Sequence, residues 1–496
     1  MLRTRNQFVL LAFVAGLLLV GNSTLAAPTP QAGISGPSSS VAPYVVSVDT
    51  TARLTSILTV GDSVNTKPGS ATPYRMVGIP DGLGAFDNGD GTFTVLMNHE
   101  LGSALGIARA HGGIGAFVSK WVVRKDTLTV VSGADLIQQV ATWNTNTSSF
   151  NAPTTGVVFN RFCSADLPPL SAFYNAATGN GYNGRIFMNG EEAGAEGRAF
   201  GHLLDGTTYE LPRLGKFSWE NSLAHPAAGD KTIVAGTDDG TGGQVYIYVG
   251  TKTNSGSAID KAGLNNGTLY GVKVTGVPAE ISATGIASGT AFTLADLGNV
   301  ANTTGAALET QSVTAGVTTF LRPEDGAWDP SNPNDFYFVT TNSFAAPSRL
   351  WRLRFTDATN PTLGGTISML LDGTEGPKMM DNMTISKNGQ ILIQEDPGNQ
   401  TYVAKIWRYS IAQDTIFEIA KHDPAVFDPA VASPLLTQDE ESSGILDVSD
   451  ILGDGTFLFD VQAHVANSDP ELVERGQLNL LRITSSFRVG LPAIKN

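Results

Sequence analysis

One short pattern returns six times along the chain, and this repetition constrains the fold more than any other feature of the sequence. A copy consists of an acidic residue, one or two small or polar residues, a short apolar stretch, a turn, and a β-run that ends in polar residues. The copies begin at positions 81, 163, 220, 324, 381 and 441, and the copy at 163 is the loosest. A unit repeated six times with inserts between copies is typical of a radial or stacked array.

The turns inside the copies indicate what each unit is. Most are Asn-Gly or Asp-Gly, such as Asn388-Gly389 and Asp454-Gly455, and these dipeptides form tight hairpin turns between short strands. Helical periodicity is scarce, so each unit is predicted to be a small antiparallel sheet without covering helices. We therefore predict an all-β fold, a six-bladed β-propeller with inserts between blades. A single propeller domain should span 43–496, with inserts near 102–160 and 250–320.

The N-terminus is predicted to be a cleaved signal peptide, residues 1–26. Arg3 and Arg5 precede an uncharged apolar run over 8–20, and Thr24-Leu25-Ala26 places small residues before the cleavage point. The run is shorter than the roughly 20 residues of a bilayer span, although an uncleaved membrane anchor is the alternative. Residues 27–42, rich in Pro, Ser and Gly, are expected to form a flexible leader. We expect a periplasmic or extracellular monomer with no stable membrane anchor.

The charge balance restricts the partners of the chain. Lys and Arg number 31 against 46 Asp and Glu, a formal net charge of −15. Such an acidic chain repels phosphate backbones, which makes nucleic acids and anionic membranes poor partners. A small anionic substrate would need cations supplied within the site.

The opening position of each copy predicts a metal centre. If this position lies on the innermost strand of each blade, six side chains point at one central channel. The lone cysteine, Cys163, holds one of these positions, and a buried, inert thiol is the alternative reading of it. Like charges gathered in a hub require bound cations; carboxylates select calcium or magnesium, and a thiolate favours a softer ion such as iron or zinc. Turn-capping acids remain the alternative. The five carboxylates are Asp81, Glu220, Glu324, Asp381 and Glu441.

Further polar side chains end the β-runs or precede the copies. Arg322 stands two residues before Glu324; it either forms a salt bridge with a neighbouring acid or presents a guanidinium fork to phosphate oxygens. His99 and His464 also end β-runs and could lie near the hub. A second ring of metal ligands is predicted from the strand-end acids Glu100, Glu192, Asp238 and Glu395.

Several short motifs between about 70 and 480 resemble the PhoX-type alkaline phosphatases, a large family of secreted proteins. The resemblance implies a six-bladed propeller whose hub binds iron and calcium. It also implies that Cys163 ligates iron, and that Arg322 and Glu324 serve phosphate and metal. Many relatives carry twin-arginine signals, which Arg3-Thr4-Arg5 does not match, so metal loading outside the cytoplasm is expected here. The motifs are Asn160-Arg161-Phe162-Cys163-Ser164, Asn189-Gly190-Glu191-Glu192, Trp219-Glu220-Asn221-Ser222-Leu223, Gly243-Gln244-Val245-Tyr246-Ile247-Tyr248-Val249-Gly250, Arg322-Pro323-Glu324-Asp325-Gly326, Gln394-Glu395-Asp396-Pro397-Gly398 and Asp439-Glu440-Glu441-Ser442-Ser443-Gly444.

The repeat and the resemblance together predict a secreted metal-dependent phosphatase. It would hydrolyse small-molecule phosphate monoesters with a metal-activated oxygen nucleophile at the hub, with Arg322 and Glu324 as catalytic residues. Two alternatives remain open. One is a calcium-dependent propeller hydrolase of lactones or phosphotriesters, and the other is a non-catalytic binding propeller stabilised by calcium.

Overall fold

The structure, a computed structural model, describes residues 30–484 and is built mainly of β-strands. Its longest helix is Gly305–Ala315, which lies within one of the predicted inserts. The prediction of an all-β fold is confirmed, whereas the predicted signal peptide, 1–26, lies outside the described residues. No helix in 30–484 has the length and apolar character needed to cross a bilayer. The other helical turns are Leu170–Ala172, Gly194–Glu196, Pro212–Leu214, Ala258–Lys261, Pro361–Leu363, Pro424–Phe427 and Ser449–Leu452.

Six antiparallel sheets, here called units 1 to 6 in chain order, account for most of the strands. Each unit begins with a strand that carries one opening position of the repeat. Unit 1 consists of Pro80–Asp87, Thr92–His99, Phe117–Arg124 and Val130–Asp135. Unit 2 consists of Phe162–Asp166, Ile186–Glu191, Ala199–Leu203 and Thr207–Glu210, with Gln139–Ala141 added in parallel. Unit 3 consists of Trp219–Ala224, Lys231–Asp238, Thr241–Thr251, Thr268–Val274 and Thr290–Gly298, and Thr319–Leu321 pairs with its third strand.

The later units are built in the same way. Unit 4 consists of Pro323–Trp328, Asp335–Thr340, Arg349–Phe355 and Gly365–Leu371, and its last strand pairs with the last strand of unit 3. Unit 5 consists of Met380–Ile385, Gln390–Glu395, Lys405–Ser410 and Thr415–His422. Unit 6 consists of Glu440–Asp447, Thr456–Ala463 and Arg475–Ile483. Small hairpins complete the described strands: Ser63–Thr66 with Pro73–Arg75, Trp143–Asn144 with Ser149–Phe150, and Tyr174–Asn175 with Asn180–Gly181.

The first strands of the six units form a closed ring. Each first strand contacts the first strand of the next unit, and that of unit 6 contacts that of unit 1. The N-terminal part of the chain strengthens the closure, because Val45–Ser47 adds a strand to unit 5 and Ala52–Thr59 adds one to unit 6. Within the predicted leader, Ile34–Ser35 pairs in parallel with Ala52–Thr59. The leader and the boundaries of the single domain stay predictions.

Six apolar cores lie between neighbouring units, one for each interface of the ring. Because side chains alternate between the two faces of a strand, one strand supplies two cores. In unit 5, Leu392 packs against unit 6, whereas Ile391 and Ile393 pack against unit 4. The predicted inserts contribute to these interfaces too, since 102–160 supplies the outer strands of unit 1 and 250–320 supplies those of unit 3. Apolar burial between units therefore holds the ring together.

Candidate metal centre

The opening position of the repeat is structurally equivalent in all six units. In every case it is the second residue of the first strand. The six side chains lie close enough for their charges to shift the pKa values of one another. Asp81, Glu220 and Asp381, for example, belong to one network of mutually repelling groups. The structure thus brings together the predicted set Asp81, Cys163, Glu220, Glu324, Asp381 and Glu441, which we call the inner ring.

A β-bulge accompanies the opening position in units 1 to 5. In unit 1, Pro80 is opposite His99 but Leu83 is opposite Met97, so one extra residue is accommodated between them. Equivalent shifts occur in the next four units, and in unit 6 the shift falls later in the strand. A bulge bends the strand and redirects its side chains. This local geometry is what aims the second residue at the ring axis.

The residue after each opening position is small or polar because the strands converge there. A Cβ atom on Gly82 would stand 2.3 Å from the backbone nitrogen of Ala165 in unit 2. Ser164 uses its hydroxyl instead: it donates to Glu220 at 2.5 Å and accepts from the Asn382 amide at 2.6 Å. Side chains from units 2, 3 and 5 therefore meet across the ring.

The residues that follow each second strand form a second layer, here called the outer ring. In each unit, the first residue of the first strand pairs with the last residue of the second strand. These last residues are His99, Glu191, Asp238, Thr340, Glu395 and Ala463. The next residue in each unit approaches the inner ring: Glu100 raises the pKa of Asp81, and Asp239 that of Glu324. The outer ring is therefore Glu100, Glu192, Asp239, Thr341, Asp396 and His464.

The structure places two predicted members of the second ring, Asp238 and Glu395, one residue away from the outer ring. The Glu395 carboxylate accepts hydrogen bonds from the backbone of Lys378 and Lys405, from Trp407 Nε1 and from the Tyr402 hydroxyl, so it is satisfied within its own unit. It is the neighbouring Asp396 that raises the pKa of Asp381. Consecutive residues of a strand face opposite sides, which explains why the predicted acids and the outer ring differ by one residue.

Asp238 likewise lies outside the outer ring. Its carboxylate accepts from the Ser218 backbone at 3.2 Å. Burial, followed by the charge of Glu309, raises its pKa to about 7. The carboxylate of the next residue, Asp239, is the one that pairs with Arg322. The other two predicted acids, Glu100 and Glu192, lie in the outer ring.

The carboxyl groups of the inner ring have pKa values well above their ordinary range. Burial is the largest cause for Asp81, Glu220, Glu324, Asp381 and Glu441, and neighbouring carboxylates add to it. In the outer ring, burial and the charge of Glu100 raise the pKa of Glu192 to about 9. Such a concentration of ionisable oxygen, which nearby arginines offset only in part, favours protonation or metal binding.

Two triplets of side chains could each hold a metal ion. The first, the cysteine group, is Asp81, Glu100 and Cys163; the second, the oxygen group, is Glu220, Glu324 and Asp381. Within each triplet one ligand atom per residue lies within 4.8 Å of the others. Ca²⁺–oxygen bonds measure about 2.3–2.6 Å. Ligand atoms on opposite sides of one ion are therefore separated by about twice that length, which is close to the 4.8 Å found within each triplet.

Orphaned acceptors identify where a cation would bind. Asp81 Oδ1 is buried and accepts no hydrogen bond from the described residues. Glu324 Oε1 is in the same condition: it lies 3.2 Å from Arg322 Nη2 in an ion pair that lacks hydrogen-bond geometry. A buried carboxylate oxygen without a donor is costly unless a cation or proton satisfies it. The residues present therefore match the requirements of bound metal.

The cysteine group is held in place by amide side chains. Gln462 Nε2 donates to Asp81 at 3.0 Å and to Glu100 at 3.1 Å. Cys163 Sγ lies 3.6 Å from Asp81 Oδ2, and burial followed by the charge of Asp81 raises the pKa of the thiol well above its ordinary value. The thiol is thus protonated until a cation replaces the proton.

Two arginines lie over the rings. Arg322 donates from Nε and Nη2 to Asp239 at 2.7 and 2.9 Å. Arg161, which the sequence did not single out, contacts Glu100 at 2.6 Å and also Glu192, both through Nη2. The signal that could have found it is its spacing, because it precedes Cys163 by two residues as Arg322 precedes Glu324.

The two candidate histidines differ. His99 bonds to the Gly78 carbonyl and to Ser119, stacks on Phe117, and burial lowers its pKa to about 3, so it belongs to the interior of unit 1. His464 lies 4.0 Å from Glu441 and donates to Glu474 at 2.7 Å. Burial lowers the pKa of His464, but Glu474 and nearby carboxylates raise it more. Only His464 therefore joins the rings.

A cavity of about 320 Å³ opens beside Asp239, the carboxylate that pairs with Arg322. Phe217 and Tyr246 form its apolar wall, their rings stacked 4.7 Å apart. Asp238 and Glu309 lie on its acidic side.

Comparisons with known proteins concern the family and the fold. The model of the alkaline phosphatase PhoX family matches residues 205–367. Pseudomonas fluorescens PhoX in complex with vanadate, a transition state analogue, has a similar fold, with 12% identity, a TM-score of 0.65, and coverage of 91% of this chain and 98% of that chain. A putative 6-phosphogluconolactonase from Bacteroides fragilis has 12% identity and a TM-score of only 0.34, with 73% of this chain and 92% of that chain covered. No curated protein matches the chain significantly by sequence. The family match and the shared fold confirm the resemblance to the PhoX-type alkaline phosphatases that the short motifs predicted.

Proposed function

We propose that this protein is a secreted, metal-dependent phosphatase that hydrolyses phosphate monoesters at the hub of a six-bladed β-propeller, each unit being one blade. The observation that carries this proposal is a pair of triplets that could each hold a metal ion, one of which, the oxygen group, contacts the guanidinium of Arg322 through Glu324. Acids alone would repel a phosphate ester. Bound cations reverse the charge of the site, and the arginine fork matches the geometry of phosphate oxygens.

The donor types favour two kinds of metal. The oxygen group offers only carboxylates, which suit calcium. The cysteine group adds the thiol of Cys163, which favours a softer ion such as iron. When bound, such ions would supply Lewis acidity and activate an oxygen nucleophile. The remaining acids of the proposed site are Glu441 in the inner ring and Glu192, Asp239 and Asp396 in the outer ring.

The side chains of the site have distinct tasks in this proposal. Arg322 binds phosphate oxygens and stabilises the charge that develops on them. Glu324 links Arg322 to the oxygen group, because its carboxylate forms an ion pair with Arg322 and is also a member of that triplet. The cavity beside Asp239 would receive the organic group of the ester. The Pseudomonas relative binds vanadate, a transition state analogue, and an analogous phosphate position here would lie at Arg322.

The location of the protein follows from the sequence prediction. A signal peptide over 1–26 would direct the chain to the periplasm or the medium, and the propeller domain would span 43–496 as a monomer. N-terminal sequencing of the exported protein tests the cleavage point, which we expect before Ala27.

Elemental analysis combined with a substrate panel tests the function. We expect purified protein to contain calcium and iron and to hydrolyse p-nitrophenyl phosphate faster than the corresponding diester, a phosphotriester or a lactone. Chelation should abolish this activity, and adding both metals should restore it. A preference for the triester or lactone would support the calcium-dependent hydrolase instead. Full metal content without hydrolysis of any ester would support a binding propeller.

A further inference from the structure

We propose that Arg161 is a second anion-binding arginine of this site, so that phosphate is held between two guanidinium groups and not by Arg322 alone. The inference rests on the proposed function, because it assigns a further residue to the same phosphate position.

The repeat places Arg161 and Arg322 at equivalent points. Each stands two residues before an inner-ring residue, and each has a left-handed backbone, with φ of 44° and 60°. Ile79 and Met379 occupy the same position in units 1 and 5, with φ of 50° and 43°. The turn thus recurs with isoleucine or methionine in place of arginine. The backbone conformation therefore does not require arginine, and the guanidinium groups in units 2 and 4 need a different explanation.

The two arginines lie on the solvent side of the rings. The side chain of Arg161 is 49% exposed and that of Arg322 is 34% exposed. The acids they contact are far less accessible, with Glu100 at 8%, Glu192 at 16% and Asp239 at 7%. A ligand that enters from solvent therefore meets the guanidinium groups before it meets the carboxylates.

Both arginines bridge acids of neighbouring units in the same manner. Arg161 reaches back to Glu100 of unit 1, and Arg322 reaches back to Asp239 of unit 3. Glu192, which pairs with Arg161, lies close enough to Asp239 for the charge of Asp239 to add to the increase that burial causes in the pKa of Glu192. The acids of the two ion pairs therefore belong to neighbouring units of the outer ring, Glu192 to unit 2 and Asp239 to unit 3.

Arg161 has donors to spare. Its closest approaches to Glu100 and Glu192 are made through Nη2, and no hydrogen bond within residues 30–484 uses its Nε or Nη1. A guanidinium carries five N–H donors in a planar fork. Nε and Nη1 of Arg161 would donate to a phosphate oxygen different from those that Arg322 holds.

Substitution of Arg161 tests whether its guanidinium binds phosphate directly or only supports the metal ligands. In metal-loaded protein, Arg161→Met should weaken the binding of inorganic phosphate, measured by calorimetry, by roughly 10- to 100-fold, and raise the KM for p-nitrophenyl phosphate. Arg161→Lys keeps the charge without the fork and should give an intermediate loss. Metal content and Tm should stay as in the unchanged protein. The matched control is Arg354→Met, which removes an arginine of 47% exposure that pairs with Asp335 far from the rings.

Unchanged phosphate affinity in both Arg161 variants would overturn the inference. So would a loss of affinity that merely follows a loss of metal, because Arg161 would then only hold Glu100 and Glu192 in place. If Arg161→Met fails to fold, weakened phosphate binding by fully metallated Arg161→Lys still supports the role. Hydrolysis that depends on Arg322 but not on Arg161 would leave the proposed function standing without this inference.

Discussion

The cysteine group and the oxygen group occupy equivalent places in one ring but offer different chemistry. The oxygen group consists of second residues of first strands, where bulges turn the side chains inward, and the cysteine group combines two such residues with Glu100 of the outer ring. The cysteine group combines one thiol with two carboxylates, whereas the oxygen group contains carboxylates alone. A repeated backbone thus supplies position, and the side chain chosen in each unit sets metal preference.

The two groups also differ in how arginine reaches them. Arg322 contacts the inner-ring acid Glu324 of the oxygen group directly. Arg161 contacts the cysteine group only through Glu100, its outer-ring member. The oxygen group is therefore expected to be the more tightly linked to phosphate, and the cysteine group to metal identity.

The largest effect is expected in the oxygen group. Glu324→Gln removes a charge shared by the metal triplet and Arg322, and should lower kcat on p-nitrophenyl phosphate by roughly 100- to 1000-fold. Glu395→Gln is the control, because Glu395 is satisfied within unit 5. It should keep kcat and metal content, yet lose about 1–3 kcal/mol of unfolding free energy. Equal activity of the two variants would show that the oxygen group has no special part in the reaction.

A somewhat smaller effect is expected in the cysteine group. Cys163→Ser removes the soft donor and should lower activity by roughly 10- to 100-fold. Elemental analysis should show loss of iron and retention of calcium, since the oxygen group is untouched. Full iron content in this variant would contradict the assignment of the thiol as a ligand.

Metal-free protein should lose stability as pH rises. The folded-state pKa of Glu192, about 9, exceeds its unfolded value of about 4.3. Its stabilising contribution is therefore complete below about pH 4 and is lost as the pH approaches 9. The Tm of metal-free protein should fall between pH 5 and 9, and Glu192→Gln should reduce this slope. Metal-loaded protein should show a weaker decline, because cations replace the protons. An equally steep decline with metals bound would argue against binding at the rings.

The smallest effect distinguishes adjacent acids of unit 3. Asp239→Asn removes the partner of Arg322 and should lower kcat/KM about 10-fold. Asp238→Asn should lower kcat/KM less than Asp239→Asn does, because the Asp238 carboxylate bonds to the Ser218 backbone whereas Asp239 pairs with Arg322. A reversal of the two phenotypes would mean that unit 3 is displaced by one residue from the arrangement described above.

The inner ring could be predicted from sequence because its pattern is local. An acidic or thiol side chain, a small neighbour and a hairpin turn recur together, as in Glu220-Asn221 and Asp381-Asn382. The outer strands of units 1 and 3 carry no comparable repeat, which is why 102–160 and 250–320 were predicted as inserts. Apolar outer strands only need to fill an interface, so their sequences vary freely.

The outer ring was harder to predict because it depends on register. Asp238 and Asp239 are chemically alike in sequence, as are Glu395 and Asp396. Only the pairing of the second strand with the bulged first strand decides which member of each pair approaches the ring. A shift by one residue exchanges the two faces of a strand.

By itself, the sequence determined the repeated unit, the all-β class and the chemical types gathered at the opening positions. Tertiary structure decided which of these side chains meet: closure of the ring places Asp81 beside Cys163 and Glu100, and Glu324 beside Glu220 and Asp381. It also placed Arg161 and Arg322 on acids of the outer ring, Glu100 and Asp239. The physical reason is that composition and turn chemistry act locally, whereas ligand geometry arises from strands far apart in the chain that meet only when six interfaces close at once.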